Sequence, residues 1–427
     1  MFVRNSIQHA EQLLEEFRIL YLTGPRQAGK TTLAKYVAQE RGMLYLSLDE
    51  GSVLASAKSD PFGFIAGLDG RNVVLDEFQY APELIPAIKL ASDRLKPHQR
   101  GKFFITGSAD IFSAARTQEA LPGHMARLEL YPLSVTEMHS GRFNLIDYLT
   151  DTRTLSLTPA DRNGSIAKPL SRGQLAAWVV RGGYPEVQSK SPRSQGVWYK
   201  SYVQGRLFKD FDTLYSARGE YHDKLSALIP YLAGLSANLL KYASVANDLA
   251  QNDKVVKSYV EALEWMFIVK RIRPFIKNSA RRQSLGMPKL HMVDTGLACH
   301  LLNIRTPEQL MATSYFGALV ETLIVMECFK HLAWSKDDAA IFHFRDTQKN
   351  EVDIVLEASG GGLIGVEVKA SATVIERDFK SLYQFATLVG KTFQRGVLLY
   401  SGSQLLPFRI GEFNFYAIPI GILFTAK

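Results

Sequence analysis

An α/β fold built on parallel sheets is predicted by three observations. Short, wholly apolar runs alternate with helical stretches, several of these runs end in polar residues, and a second set of apolar runs follows a long helix towards the C-terminal end. Apolar runs without polar alternation are strands buried on both faces, and in alternation with helices they form a helix-covered parallel sheet. At roughly 100–200 residues per domain, the 427-residue chain holds about two to four domains. Its 46% hydrophobic and 22% charged residues exclude a mainly disordered chain. Fifty Lys and Arg against 42 Asp and Glu leave a net charge of +8, which permits an anionic partner without demonstrating one.

Residues 1–17 read as an amphipathic helix, with Ile7, Leu13, Leu14 and Phe17 on one side. A buried strand follows at 19–22, then a Gly-containing loop and a helix from Lys30. Further apolar runs are 43–48, 73–75 ending at Asp76, and 103–105 ending at Thr106. Polar residues at strand C-terminal ends are where such sheets bind ligands. The stretch 149–171, rich in Ser, Thr, Asp and Pro, reads as a linker or surface insertion. Residues 172–303 are mostly helical. A long helix from Phe316 carries Leu319, Val320, Leu323, Ile324 and Phe329. Strand-like runs at 340–345, 351–356, 363–368, 396–400 and 415–419 complete a second α/β region.

Gly24-Pro25-Arg26-Gln27-Ala28-Gly29-Lys30-Thr31 fits GxxxxGK[ST] between a strand and a helix, the context that a phosphate-binding loop requires. Its backbone N–H groups would cradle phosphate oxygens. The expected pocket runs from Gly24 to Thr32, with Lys30 bridging the β- and γ-phosphates and the Thr31 hydroxyl on Mg²⁺. The apolar strand 73–75 ends in Asp76 and Glu77. Asp76 would hold Mg²⁺, and Glu77 would orient or deprotonate the attacking water. One strand later, Thr106 and Ser108 are candidates to sense the γ-phosphate.

The segments GPRQAGKTTL, LDEFQYAPEL, FFITGSAD and YPLSVTE together resemble a prokaryotic AAA-type ATPase family whose members carry a C-terminal domain of unknown function related to PD-(D/E)XK nucleases. The resemblance continues through RGGYPE, VDTGLA, GALVETLIV and EVDIVL…IGVEVKAS, nearly the whole chain. It implies ATP as the nucleotide; no Asn-Lys-x-Asp guanine-reading motif is present. The family usually has Gly-Arg shortly before Pro-Leu-Ser, where this chain has Gly123-His124; if that arginine contacts phosphate, either Arg127 or Arg116 substitutes as an arginine finger or the role is lost.

In the middle region, helical stretches at 225–239, 244–251 and 253–266, with Ser244 and Asp253 as N-caps, precede a strand at 267–272. That order, and the resemblance, imply a winged helix over about 225–290. Lys270, Arg271, Arg273, Lys277, Arg281, Arg282 and Lys289 follow with no acid among them, a basic wing suited to DNA phosphates. On the last helix Lys254, Lys257 and Ser258 face solvent, but Glu261 and Glu264 would repel phosphate, so sequence-specific reading is not expected.

At the C-terminal end, strand alternation puts Glu351 and Asp353 on one face and Glu367 and Lys369 on one face. A D…ExK order on adjacent strands is the core of a metal-dependent phosphodiesterase. Asp353 and Glu367 would ligate Mg²⁺, Lys369 would activate the water, Glu321 on the preceding helix would add a metal ligand, and Gln384 a further polar group. The expected plan is therefore an AAA-type ATPase domain at 1–150, a helical connector at 172–304 and a restriction-endonuclease-like α/β domain at 305–427. Expected partners are ATP, Mg²⁺, and DNA through the basic wing and C-terminal domain; the oligomeric state is left open, a homo-oligomer included. The expected function is a Mg²⁺-dependent ATPase whose nucleotide state controls a nuclease-like C-terminal domain acting on nucleic acid; the alternative is an ATP-switched DNA- or protein-binding module with a catalytically inactive nuclease fold.

Two cysteines, Cys299 and Cys328, exclude a disulfide framework and a zinc ribbon and read as small buried hydrophobes. With no long apolar run, and with Glu11, Glu15 and Glu16 in place of an apolar signal core, a soluble cytoplasmic protein is expected.

Overall fold

The computed structural model describes residues 2–108, 123–152, 170–208, 211, 221–277 and 286–424. The chain divides into two compact units, 1–133 with 265–267, and 134–264 with 268–427.

In the first unit, β1 (Ile19–Thr23), β2 (Leu44–Ser47), β3 (Val73–Asp76), β4 (Phe103–Gly107) and β5 (Met125–Glu129) form a sheet of order β2-β3-β4-β1-β5. Every pairing is parallel. β1, β3 and β4 are buried along their whole length, as strands covered on both faces must be. Alternation places Ile19, Tyr21, Val73, Leu75, Phe103 and Ile105 in one core with Phe78, Leu84 and Ile88. β1 lies between β4 and β5, where the strand order reverses, and the crevice at its C-terminal end is the ligand position of such a sheet. Helix Lys30–Glu40 leaves from that end, and helix Ile7–Glu16 buries Ala10 and Leu14. β5 was not among the expected strands: it is an edge strand that buries Ala126 and Leu128 and exposes Arg127, so it carries no continuous apolar run.

The second unit begins earlier than the expected domain border. Residues 134–150, expected in the first domain, pack here. The Val135 N–H donates to Glu327 Oε2 at 2.8 Å, and the Leu145 N–H donates to His331 Nδ1 at 2.8 Å. The expected linker also starts later than 149, because Leu149 and Thr150 close a buried helix, Leu145–Thr150; residues 153–169 lie outside the described residues. The expected connector and C-terminal domain fall in one compact unit.

Helices Tyr221–Gly234, Tyr242–Asp248 and Asp253–Trp265 accompany a small antiparallel sheet of β6 (Asn238–Leu239), β7 (Val269–Ile272) and β8 (Lys289–Met292), in the order β6-β8-β7. Asp253–Trp265 buries Val256, Tyr259, Val260 and Leu263 and exposes Lys254 and Lys257. Ser244 is inside its helix rather than at the cap, which is Lys241.

The RGGYPE and VDTGLA segments meet in one buried knot. Asp294 Oδ2 accepts from the Gly183 N–H at 2.7 Å, and Oδ1 accepts from the Leu297 N–H at 2.8 Å and the Tyr199 hydroxyl at 3.1 Å. A Cβ on Gly182, whose φ is +71°, would stand 2.4 Å from Asp294 Oδ1, and one on Gly296 would stand 2.2 Å from Tyr199 Oη. Only glycine permits this approach.

After the long helix Tyr315–Leu332, six strands form a mixed sheet: β9 (Ala340–Arg345), β10 (Glu351–Glu357), β11 (Leu363–Lys369), β12 (Phe393–Tyr400), β13 (Leu406–Ile410) and β14 (Phe413–Pro419). The order is β13-β14-β12-β11-β10-β9, with β11–β12 and β12–β14 parallel and the rest antiparallel. Helix Lys380–Val389 packs Leu382, Phe385 and Ala386 against Val352, Val355, Leu398 and Phe415. Cys299 and Cys328 are buried and unbridged. Among the described residues no helix is long and apolar enough to cross a membrane.

Candidate functional site

The first unit gathers Gly24, Lys30, Asp76, Glu77 and Thr106 at the C-terminal ends of β1, β3 and β4. Gly24 is required by space: a Cβ there would stand 2.0 Å from the Leu130 carbonyl oxygen. Gly29, with φ +102°, caps helix Lys30–Glu40 without any side-chain hydrogen bond, and no acid lies in the first turn. With no capping side chain and no acid there, the positive end of the helix dipole favours an anion at this end of the helix. Ala28 is buried, while Gln27, at φ +60°, and Thr32 are exposed. Arg4 braces the loop from outside the motif, donating to Ala28 O at 2.8 Å and Tyr131 O at 2.7 Å. Lys30 is 4% exposed, and its ammonium donates to Gly24 O at 2.8 Å and Pro25 O at 2.7 Å.

Asp76 is 2% exposed. Its Oδ2 accepts from the Tyr45 hydroxyl at 2.5 Å, and its Oδ1 accepts from the Thr106 hydroxyl. Glu77 sits in left-handed backbone, φ 59°, a strained setting for a non-glycine residue. Its Oε2 accepts from Gln79 Nε2, lies 3.5 Å from the Ser108 hydroxyl, and stands 3.9 Å from Arg26 Nη1. Arg26 also donates to Tyr80 Oη at 3.0 Å. Thr31 and Asp76 offer the hydroxyl and carboxylate oxygens that a hard cation such as Mg²⁺ takes, so this donor set fits the ion. Arg127, one arginine-finger candidate, is paired with Glu129 at 2.7 Å; Arg116, the other, lies outside the described residues. Sequence reasoning missed Arg4, Tyr45 and Gln79, which carry no motif of their own.

The second unit gathers Glu321, Glu351, Asp353, Glu367 and Lys369, and adds Lys289. Lys289 was expected on an exposed basic wing. It is instead 1% exposed, with its ammonium 2.6 Å from Glu321 Oε1, 2.7 Å from Glu351 Oε1 and 3.1 Å from Asp353 Oδ1. Burial disfavours its charge, but Asp353, Glu321 and Glu351 together raise its pKa above the ordinary lysine value. The rest of the basic stretch is largely committed too. Arg271 pairs with Glu264 at 2.5 Å, Lys270 lies over the Phe329 ring, and Lys277 donates to Leu388 O; Arg281 and Arg282 lie outside the described residues.

The antiparallel register of β10 and β11 pairs Ile354 with Val366, which brings Asp353 beside Glu367. β10 bulges against β9 between Val352 and Val355, the kind of irregularity that re-aims a side chain. Asp353 Oδ2 accepts from the Val368 N–H at 3.0 Å. Burial, with Asp353, Asp378 and Glu351 nearby, pushes the Glu367 carboxyl up to about 9; burial and Asp353 also push Glu321 up. Glu367 Oε1 has no hydrogen-bond partner among the described residues. Lys369 is held by Asp378 Oδ2 at 2.5 Å, a partner absent from the sequence reading. Gln384 is exposed on helix Lys380–Val389.

The Mg²⁺ expected on Glu321, Asp353 and Glu367 does not fit this arrangement. An ammonium stands where the cation would be, and among the described residues no group of three or more His, Cys, Asp or Glu is disposed to hold a metal ion.

Residues 16–139 match the AAA domain family. Residues 172–308 match a domain of unknown function (DUF8612), and residues 316–423 match another (DUF4143). Two relatives, the uncharacterized proteins Mb2031c of Mycobacterium bovis and Rv2008c of Mycobacterium tuberculosis, are each 26% identical over 414 residues, covering 95% of this chain and 81% of theirs. Among solved structures, the Walker-type ATPase PABY2304 of Pyrococcus abyssi aligns over 70% of this chain and 96% of its own, at 14% identity and TM-score 0.42. RuvB of Thermotoga maritima (T158V) aligns over 62% and 88%, at 16% identity and TM-score 0.29. The family match and the loop geometry agree: the first unit carries an AAA-type ATPase domain, and the chain is a P-loop NTP hydrolase.

Proposed function

We propose that this chain is a Mg²⁺-dependent ATPase whose nucleotide state controls a nuclease-like C-terminal domain, and that this domain binds nucleic acid rather than cutting it. The observation that speaks against cutting is the Lys289 ammonium among Glu321, Glu351 and Asp353; binding rests on the exposed basic residues of the helices and wing.

Lys30 would exchange the Gly24 and Pro25 carbonyls for phosphate oxygens, which leaves those two acceptors to the loop and makes the loop's shape depend on nucleotide. Thr31 and Asp76 would hold Mg²⁺, with Tyr45 and Thr106 fixing the Asp76 carboxylate. When bound, the ion supplies charge neutralisation on the transferring phosphoryl group. Glu77 would orient the attacking water, with Arg26, Gln79 and Ser108 setting its position. Thr106 links the two acids, since it donates to Asp76 and accepts from the Glu77 N–H at 3.3 Å; that is a position from which the γ-phosphate can be sensed.

In the second unit we read the helices Tyr221–Gly234, Tyr242–Asp248 and Asp253–Trp265 with the sheet β6-β8-β7 as a winged helix. Lys224, Lys241, Lys254, Lys257 and Arg273 are among its exposed cations. Such contacts go to phosphates and carry no sequence information. The nuclease-like reading of the C-terminal sheet rests on the D…ExK order and on Asp353 beside Glu367.

The test uses the purified full chain. Lys30→Ala should abolish ATP turnover, and duplex DNA should bind with an affinity that differs between ATP and ADP. Equal affinity in both nucleotides would overturn the control. Divalent-dependent cleavage of DNA or RNA that disappears in Asp353→Ala would overturn the non-cutting reading and restore the nuclease.

A further inference from the structure

We propose that Lys289 is the resident cation of the acidic cluster: its ammonium takes the place of a divalent metal, and the cluster is closed to metal for as long as β8 holds Lys289 there. This rests on the reading of the C-terminal domain as a binding module.

Three observations carry it. First, the ammonium is within 3.1 Å of three carboxylates from two separate elements, the helix Tyr315–Leu332 and β10, which is the way a metal gathers ligands. Second, Lys289 is fixed from behind. β8 is buried at all four positions and paired on both sides, Lys289 lying opposite Leu239 on β6 and Ile272 on β7. The Met292 N–H is tied to Ser236 Oγ at 2.9 Å. The backbone that carries the side chain is therefore fixed on both edges. Third, the lysine that the ExK order offers to the site, Lys369, is bound to Asp378 and does not compete for Asp353.

Physical chemistry gives the arrangement its direction. Withdrawing one member of a buried ion cluster leaves the others uncompensated, so carboxylates that lose Lys289 will take another cation or protons. A tethered ammonium also acts at an effective concentration set by its tether rather than by solution, which disfavours a free competitor. Mg²⁺ or Mn²⁺ would need carboxylate oxygens on the volume that Nζ now fills.

The probe is Mn²⁺ alone, followed by electron paramagnetic resonance on the nucleotide-free full chain. Wild type should show no Mn²⁺ uptake that depends on Asp353, so that Asp353→Asn leaves the titration unchanged. Lys289→Met should gain one Mn²⁺ site at least about tenfold tighter than anything in wild type, and Lys289→Met/Asp353→Asn should lose it. Asp353-dependent Mn²⁺ uptake by wild type, or no gain in a folded Lys289→Met, would overturn the proposal. Should Lys289→Met not fold, the comparison of wild type with Asp353→Asn decides by itself, and Lys289→Arg should fold and remain closed to Mn²⁺. Nucleic-acid affinity is measured separately, so a domain that binds no DNA but excludes Mn²⁺ from the cluster would fail the binding reading while keeping the resident cation.

Discussion

Tyr45 on β2 donates its hydroxyl to Asp76 Oδ2 at 2.5 Å, across the parallel pairing of β2 with β3. Burial and the Asp76 carboxylate raise the pKa of this phenol above its ordinary value, so it remains a donor throughout the working range of pH. The carboxylate is held from two sides, by Tyr45 and by Thr106. Removing the hydroxyl should leave Asp76 held by Thr106 alone and its Oδ2 without that donor. Tyr45→Phe is expected to lower kcat for ATP hydrolysis by about tenfold and to raise the Mg²⁺ concentration needed for half-maximal rate, as loss of a ligand's outer partner does. Steady-state turnover against Mg²⁺ checks this; an unchanged Mg²⁺ dependence would remove Tyr45 from the site.

A methyl group at Gly24 has nowhere to go, since the Leu130 carbonyl oxygen lies 2.0 Å from its position. Gly24→Ala should push the phosphate loop away from Leu130, weaken ATP binding at least about tenfold and destabilise the first unit by about 2 kcal/mol. Calorimetric titration with ATP reads the first effect and denaturant unfolding the second.

The raised Glu367 carboxyl gives a signed pH prediction. Its folded pKa, about 9, lies above the ordinary value of 4.5, so the folded chain holds a proton that the unfolded chain has lost. Stability contributed by that proton falls as pH rises through this window, by at most about 1.4 kcal/mol per pH unit. Glu367→Gln cannot ionise and should gain stability relative to wild type between pH 6 and pH 9. Unfolding curves for the pair at several pH values test it; parallel curves would mean that Glu367 titrates normally.

Gly296→Ala should cost about 2–5 kcal/mol, because the new methyl would meet Tyr199 Oη at 2.2 Å and the Arg181 carbonyl oxygen at 2.6 Å. Trp198, whose ring centroid lies 5.1 Å from that of Tyr199, makes fluorescence-detected unfolding a local report.

How far the sequence could be read follows from where each residue finds its partners. β1, β3 and β4 are covered on both faces, so their apolar runs are unbroken and visible. β5 and β13 are edge strands with alternating burial, and neither announces itself. The phosphate loop is legible because its chemistry is contiguous. Lys289 is not, because the nearest sequence neighbours suggest a basic surface while Asp353 lies 64 positions further on. Arg4 braces Ala28 and Tyr131 over 24 and 127 positions, and no local pattern encodes such a contact. The glycines of RGGYPE and VDTGLA were visible as letters, but their reason, the space taken by Asp294 and Tyr199, required three dimensions.

The placement of Lys289 on β8 bears on how the protein can be dissected. A fragment cut to begin at the helix Tyr315–Leu332 would look complete, with its six-stranded sheet and all its carboxylates. It would nevertheless have left its own neutralising charge on the discarded piece. Such a fragment would scavenge calcium, manganese or basic peptides from its buffer, and an affinity measured on it would describe the scissors rather than the protein.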